Sequence, residues 1–415
     1  MSNPAYPNIN ADRLWQRHLD MAKLGATAGG GVHRLALTDL DIEAHSLLND
    51  WAAVHGFTIS LDPIGNMFIR REGSDPSLPP VASGSHTDTQ PNGGRFDGIT
   101  GVLTAFEAME TIHEAGIETR HPIETIIWNN EEGSRFIPAC MGSAVYAGAE
   151  PVEVMRASAD ANGITMGSCV DALKEALPQA GERALGAPMS AFIEVHIEQG
   201  PELEDSGNTI GIVTGMQGYR RFTVEVTGED AHSGTTPRAR RKDAFVAATN
   251  MAKALREKIE DEADVVRFTI GRFEVLPGGI SVVPGKVNFA IDLRHPEASS
   301  LAVLGDKIAP TCQEQAGPCE VVVNEFINQD PLDFPDSMRD RITAAAGKRG
   351  FSNQPIFSCA GHDARHISKL CPAGMIFIPC WKGISHNEAE RAEPEDIAAS
   401  AQLIADMLID LANET

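Results

Sequence analysis

No CxxC pair occurs anywhere in the chain. Its seven cysteines are Cys140, Cys169, Cys312, Cys319, Cys359, Cys371 and Cys380, an odd number at irregular spacing. That pattern argues against a disulfide framework and against a cysteine-ligated zinc site, and the reducing cytoplasm is the expected compartment. Positive charge is scarce as well: Lys+Arg 34 against Asp+Glu 58 leaves a net charge of −24. Nucleic acid and anionic membranes both demand clustered positive charge, so neither is an expected partner. No apolar run approaches the length of a bilayer span, and the opening segment MSNPAYPNINADRLWQRHLDMAK lacks a basic stretch followed by an apolar one. Internal repeats and low-complexity segments are missing too.

What is present reads as an ordinary globular protein, with 42% hydrophobic and 22% charged residues. A length of 415 residues exceeds one comfortable core and predicts two domains. In NADRLWQRHLDMAKLG, residues Leu14, His18, Met21 and Leu24 share one helical side, and DIEAHSLLNDWAAVHG repeats the pattern. FTISLDPIGNMFIRREG reads as two strands around a turn at 62–66. PPVASGSH and IETIIWNNEEG are short apolar runs ending in polar loops, with a helix in GITGVLTAFEAMETIHEAG between them. This is βαβ logic, an α/β fold with a mostly parallel sheet and ligands beyond the strands' carboxyl ends.

The rhythm changes mid-chain. RFTVEVTG, VVRFTIGRFEVLPGG, GKVNFAIDLRHP and CEVVVNEFIN read as strands, RKDAFVAATNMAKALREKIED as a helix and SSLAVLGDKIAPTCQEQAG as a second one. The order β-α-β-β-α-β predicts an inserted α+β, ferredoxin-like domain over 214–329. Residues 1–213 and 330–415 would then form one split domain, with a helix in DSMRDRITAAAGKRG and a buried strand in AGMIFIPCW.

Chemistry gathers in five segments, which hold His86, Asp97, the pair Glu131 and Glu132, His196 and His386. Each follows a strand-like run beside glycine, where loops carry sites. Imidazole and carboxylate without thiolate suit zinc, manganese, cobalt or nickel. Histidines and carboxylates around one shared aspartate are enough for a two-metal site, with ions about 3.5–4 Å apart. Adjacent glutamates then divide, one binding metal and one accepting a proton from water. Taken singly, each of these residues is more often a solvated or hydrogen-bonded loop side chain than a ligand, and an acidic surface turn is the commoner reading of NNEEGSRF; their coincidence is what points to a site.

The segments GSHTDTQPNGGRFDGITGVL, NNEEGSRF, HIEQGPELE, GEDAHSGTTPRARRKDA, VNFAIDLRHP, AGHDA and GISHNEAE together resemble the hydantoinase/carbamoylase family of amidases. That family includes N-carbamoyl-L-amino-acid hydrolases, β-ureidopropionases and allantoate amidohydrolases, within the aminoacylase and carboxypeptidase superfamily of dinuclear metallohydrolases. The similarity runs in order from about Leu14 to Glu390. It implies two divalent metal ions per subunit held by His86, Asp97, Glu132, His196 and His386, with Asp97 bridging and Glu131 as general base. Asp88 would orient His86 and raise its basicity. In the inserted domain, expected to act as lid and dimerisation domain, Arg294 would bind the carboxylate of a small-molecule substrate. His232 would cross the interface of a homodimer to stabilise the oxyanion. Gln199 would touch the substrate's polar group and His362 would line the pocket.

Read without the resemblance, Arg294 is a strand arginine paired with Asp292, His232 a turn histidine, Gln199 a loop residue and His362 a structural histidine beside Asp363. The chain also departs from the family pattern. Ser281 stands where asparagine is usual, Arg238 where methionine usually follows GTTP, Cys359 where a small residue precedes AGHDA, and Cys380 where serine is frequent. Ser281 and Arg238 would bear on specificity, shifting the pocket towards a bulkier or more acidic amide; surface drift is the alternative for Arg238. The expected reaction is hydrolysis of an N-carbamoyl amino acid, L-α or β, to amino acid, carbon dioxide and ammonia. N-acyl amino acid conjugates come next as substrates and allantoate third, and a non-catalytic binding protein on the same fold is the remote alternative.

Overall fold

A computed structural model of the chain describes residues 6–414. It divides into two compact units: one runs to Thr214 and resumes at Phe334, and the other is Gly215–Asp333. The first is built around four parallel strands in the order Ala373–Ile378, Ala191–Ile197, Val81–His86 and Ile123–Trp128. All residues of these four strands are buried. A strand covered on both faces has no solvent side to mark with polar residues, so it reads as a near-continuous apolar run. Antiparallel strands extend this centre on both sides, with Met67–Arg71 and Thr58–Leu61 beyond Ile123–Trp128, and Ile210–Met216 beside Ala373–Ile378. The fold is therefore mixed α/β with a parallel centre.

The helices Ile99–Glu114 and Pro394–Ala412 pack on one another and on the central strands, and Leu103, Phe106, Ile127, Val195, Ile404 and Leu408 belong to one continuous core. The first helix, Ala11–Met21, is capped by the Asn10 side chain and buries Leu14, His18 and Met21; Leu24 lies past its end. The helix Pro394–Ala412 and three shorter ones between 141 and 176 have no counterpart in the sequence reading. Pro394–Ala412 is buried along most of its length, and its polar residues Gln402, Asp406 and Asp410 are taken up by Ile9, Arg349 and Tyr6.

The second unit carries a four-stranded antiparallel sheet in the order Arg267–Leu276, Lys286–His295, Gly218–Thr227 and Glu320–Gln329. The helix Ala244–Ile259 packs against it through Ala248, Met251 and Leu255. Where the sequence predicts one helix over SSLAVLGDKIAPTCQEQAG, the structure has two, Ala298–Gly305 and Ile308–Glu314. Pro310 has no N–H to continue a helix from the preceding turn and is tolerated only in the first turn of a new one.

Candidate metal centre

The loops after the central parallel strands converge on one cluster in the first unit. His86 is the last residue of its strand and His196 the penultimate residue of its own, while the Glu131–Glu132 pair follows Trp128. Beside His86 the chain turns sharply at Gly98, which has φ +65 and caps the helix Ile99–Glu114. A Cβ there would lie 2.2 Å from the His86 ring, so only glycine lets the backbone pass.

The His86 ring is aimed by its Nδ1, which lies 2.9 Å from the Asp88 carbonyl oxygen. Its Nε2 is buried and makes no hydrogen bond, although Asp97 Oδ1 and Glu131 Oε2 each stand 3.5 Å away. His196 Nε2 lies 3.1 Å from the same Asp97 Oδ1, and its Nδ1 pairs with the Ile197 carbonyl at 2.9 Å. On the other side of Asp97, His386 Nε2 is 3.4 Å from Oδ2 and 3.5 Å from Glu132 Oε2. Two potential ligand sets result, His86/Asp97/His196 and Asp97/Glu132/His386, and within each the ligand atoms lie within 4.8 Å of one another. Asp97 belongs to both and gives each a different oxygen.

The electrostatics call for cations. Burial raises the pKa of Glu131 well above the ordinary carboxylate range, and the charges of Asp363 and Glu132 raise it further. Burial and the neighbouring Asp97 push Glu132 up to about 7. Burial opposes charge at Asp97 too, but the imidazoles around it win and hold its pKa well below the usual value. Burial also opposes charge at His196, yet Asp97 and Glu194 outweigh it and push its pKa up to about 9. So many buried carboxylates need positive charge from somewhere, and divalent ions are the strongest source a protein has. The unbonded His86 Nε2 and the all-imidazole, all-carboxylate donor set fit such ions. A third acidic group, His55/Glu110/Glu114, is different: Arg13 and Arg17 already occupy its carboxylates.

Three further candidates touch this cluster, each in its own way. Asp88 aims His86 through its backbone carbonyl, whereas its carboxylate accepts the backbone N–H groups of Glu131 and Glu132 at 3.2 Å each. It therefore holds the glutamate pair in place. Gln199 sits in a left-handed conformation, φ 59, and its Nε2 donates to Asp97 Oδ2 at 2.8 Å. His362 is fully buried against His196, with ring centroids 4.4 Å apart. Burial, then the charge of His196, keeps its pKa well below the ordinary histidine value.

The other four candidates belong to the second unit. Arg294 donates from Nε and Nη2 to the two oxygens of Asp292, at 2.8 and 3.2 Å, and Arg221 shares that carboxylate. The pairing with Asp292 read from the sequence is therefore present. His232 is exposed on a two-residue strand beside Val282–Val283. Its Nδ1 accepts the N–H groups of Gly234 and Thr235, at 3.0 and 3.1 Å, which places the ring proton on Nε2 as a donor. The Ser281 carbonyl accepts the N–H of Ser233, and Arg238 is exposed in a short 3-10 turn.

Several residues central to the cluster escaped the sequence reading. Glu390 is buried and accepts the backbone N–H groups of Phe96 and Asp97, at 2.9 and 3.0 Å, fixing the loop that presents Asp97. Its only sequence signal is its place four residues after His386 in GISHNEAE. Glu194 accepts the Ser85 hydroxyl at 2.8 Å and the Ala364 N–H at 2.9 Å. The Cys140 thiol donates to Glu131 Oε1 at 3.1 Å.

Residues 82–410 match the model of peptidase family M20/M25/M40. An N-carbamoyl-L-amino-acid amidohydrolase of Rhizobium meliloti is 38% identical over 410 residues, 97% of each chain. The ureidoglycolate hydrolase of Arabidopsis thaliana is 31% identical over 408 residues, 96% of this chain and 86% of that one. The crystal structure of a hydantoinase/carbamoylase family amidase from Burkholderia multivorans superposes with a TM-score of 0.89 at 40% identity, covering 99% of this chain and 100% of the other.

Proposed function

This chain belongs to peptidase family M20/M25/M40 and is a hydrolytic enzyme, and from that premise we propose that it cleaves the C–N bond of an N-carbamoyl amino acid, L-α or β, to amino acid, carbon dioxide and ammonia. The observation that carries the chemistry is Asp97 facing two ligand sets with its two oxygens, with Glu131 alongside. The names of the relatives support the substrate class. N-carbamoyl amino acids and ureidoglycolate share a ureido group beside a carboxylate, so a ureido acid is favoured over a simple N-acyl amino acid.

In this reading His86, Asp97, Glu132, His196 and His386 hold two divalent ions, zinc, manganese, cobalt or nickel. Bound there, such ions supply Lewis acidity and a water that loses its proton near neutral pH. Glu131 accepts that proton and returns it to the leaving nitrogen. Its buried position beside other acids raises its affinity for that proton, which favours the uptake. His232, with its proton on Nε2, donates to the oxyanion from the partner subunit of a homodimer, and Arg294 binds the substrate carboxylate. Ser281 and Arg238 tune which side chain is accepted. The cytoplasm, where thiols stay reduced, is the proposed location.

A product assay tests the reading. Metal-reconstituted protein is offered N-carbamoyl and N-acyl amino acids in parallel, and both ammonia and free amino acid are measured. Ammonia and amino acid in equal amounts from the carbamoyl set are expected. Amino acid released only from the acyl set would replace the carbamoylase reading with that of an amide-conjugate hydrolase.

A further inference from the structure

Glu131 is gripped at both ends by one residue. The Cys140 backbone N–H donates to the Glu131 carbonyl at 2.7 Å, and the Cys140 thiol donates to Glu131 Oε1 at 3.1 Å. The other carboxylate oxygen, Oε2, is the one that stands 3.5 Å from His86 Nε2. Cys140 reaches this position because it adopts a left-handed conformation, φ 51, immediately before the helix Met141–Tyr146. Most of the other cysteines, Cys169, Cys312, Cys319, Cys371 and Cys380, are buried.

We propose that Cys140 is a positioning residue for Glu131: its thiol tethers Oε1 so that Oε2 is presented to the metal cluster. The inference rests on the reading of Glu131 as the group that takes the proton of the attacking water. A carboxylate on two methylene groups has several rotamers, and only one of them points an oxygen at that water. The thiol removes the others by occupying one oxygen, and as a neutral donor it takes less from the carboxylate's basicity than a cation in its place would.

The test uses the metal-loaded full chain with Cys140→Ala and Cys140→Ser. Both replacements keep a Cβ, so the left-handed backbone is burdened equally in all three proteins. Losing one hydrogen bond to a carboxylate predicts a fall in kcat of about tenfold or more for Cys140→Ala. KM and metal content should match the wild type, and Cys140→Ser should recover to within about threefold, since a hydroxyl also donates. A wild-type kcat in Cys140→Ala, or a serine variant as slow as alanine, would overturn the proposal.

Infrared spectroscopy gives a readout that needs no turnover. The S–H stretching band lost in Cys140→Ser should lie below that of a free thiol and move up in Glu131→Ala. A band already at the free-thiol frequency would sink the tether while leaving the hydrolase reading intact. A shifted band in a protein that turns over no ureido acid would confirm the contact and sink the catalytic reading of Glu131, and with it this role.

Discussion

Replacing Asp97 by asparagine strikes the one side chain common to both ligand sets. Asparagine has the same shape, and the loop stays anchored because Glu390 holds the backbone N–H groups of Phe96 and residue 97. The damage is therefore confined to the ligand atoms. Oδ1 faces His86 and His196, while Oδ2 accepts from Gln199 Nε2 at 2.8 Å, with the Ser385 hydroxyl also at 2.8 Å. An amide can keep an oxygen on only one of these sides. If its oxygen stays with the two histidines, its N–H2 group meets the Gln199 N–H2 group, donor against donor. If it turns the other way, the His86/His196 set loses its only carboxylate. Partners that merely hydrogen-bond to a metal ligand are worth about 10–100-fold in metal affinity. A shared ligand that loses both its charge and one oxygen should cost more than about 100-fold, or about 2.7 kcal/mol. Equilibrium dialysis against a metal buffer, followed by elemental analysis, should find Asp97→Asn at least one equivalent short of the wild type, with kcat down at least about 100-fold. A variant with wild-type metal content and turnover would refute the shared-ligand argument.

Gly98→Ala should lower both metal content and stability, because the new methyl group would meet the His86 ring and residue 98 would keep a positive φ. Strain of this kind costs about 1–3 kcal/mol, to be read by thermal melting beside metal analysis; an unchanged melt would show that the His86 loop yields freely. His18 makes acid stability testable. Burial lowers its pKa to about 4, below the ordinary histidine value of about 6.5. Between those values the unfolded chain binds the extra proton, so the stability from neutral His18 is whole above about pH 6.5 and is lost as pH falls through 4. The shift corresponds to about 3 kcal/mol. Denaturant titrations from pH 7 to 4 should show a shallower decline in His18→Gln than in the wild type, and parallel declines would refute the assignment.

The residue types of the cluster are legible in the chain because ligand chemistry is a property of side chains: His86, Asp97, Glu132, His196 and His386 are conspicuous wherever the fold puts them. The central strands are legible for a related reason, since burial on both faces leaves short apolar runs that end where polar loops begin. Asp88 shows the limit of adjacency. Its place two residues from His86 suggests a carboxylate–imidazole pair, and its Oδ1 does lie 3.7 Å from the ring's Nδ1, but the backbone path gives the ring's hydrogen bond to its carbonyl and the carboxylate's to the N–H groups of the glutamate pair. Glu390 and Glu194 were not legible as site residues, because a buried acid is recognised by what it pairs with, and their partners lie far away in sequence. Cys140 is the same case at shorter range, since nothing in ACMGS announces a left-handed residue whose thiol meets a glutamate.

By itself the sequence determined the available ligands, the periodicities of the strands and helices, and the thin supply of positive charge. Only the tertiary structure decided that segments scattered over some three hundred residues meet around the two oxygens of Asp97. Strand order and loop path set those distances through packing and backbone hydrogen bonds, which no local pattern of residues encodes.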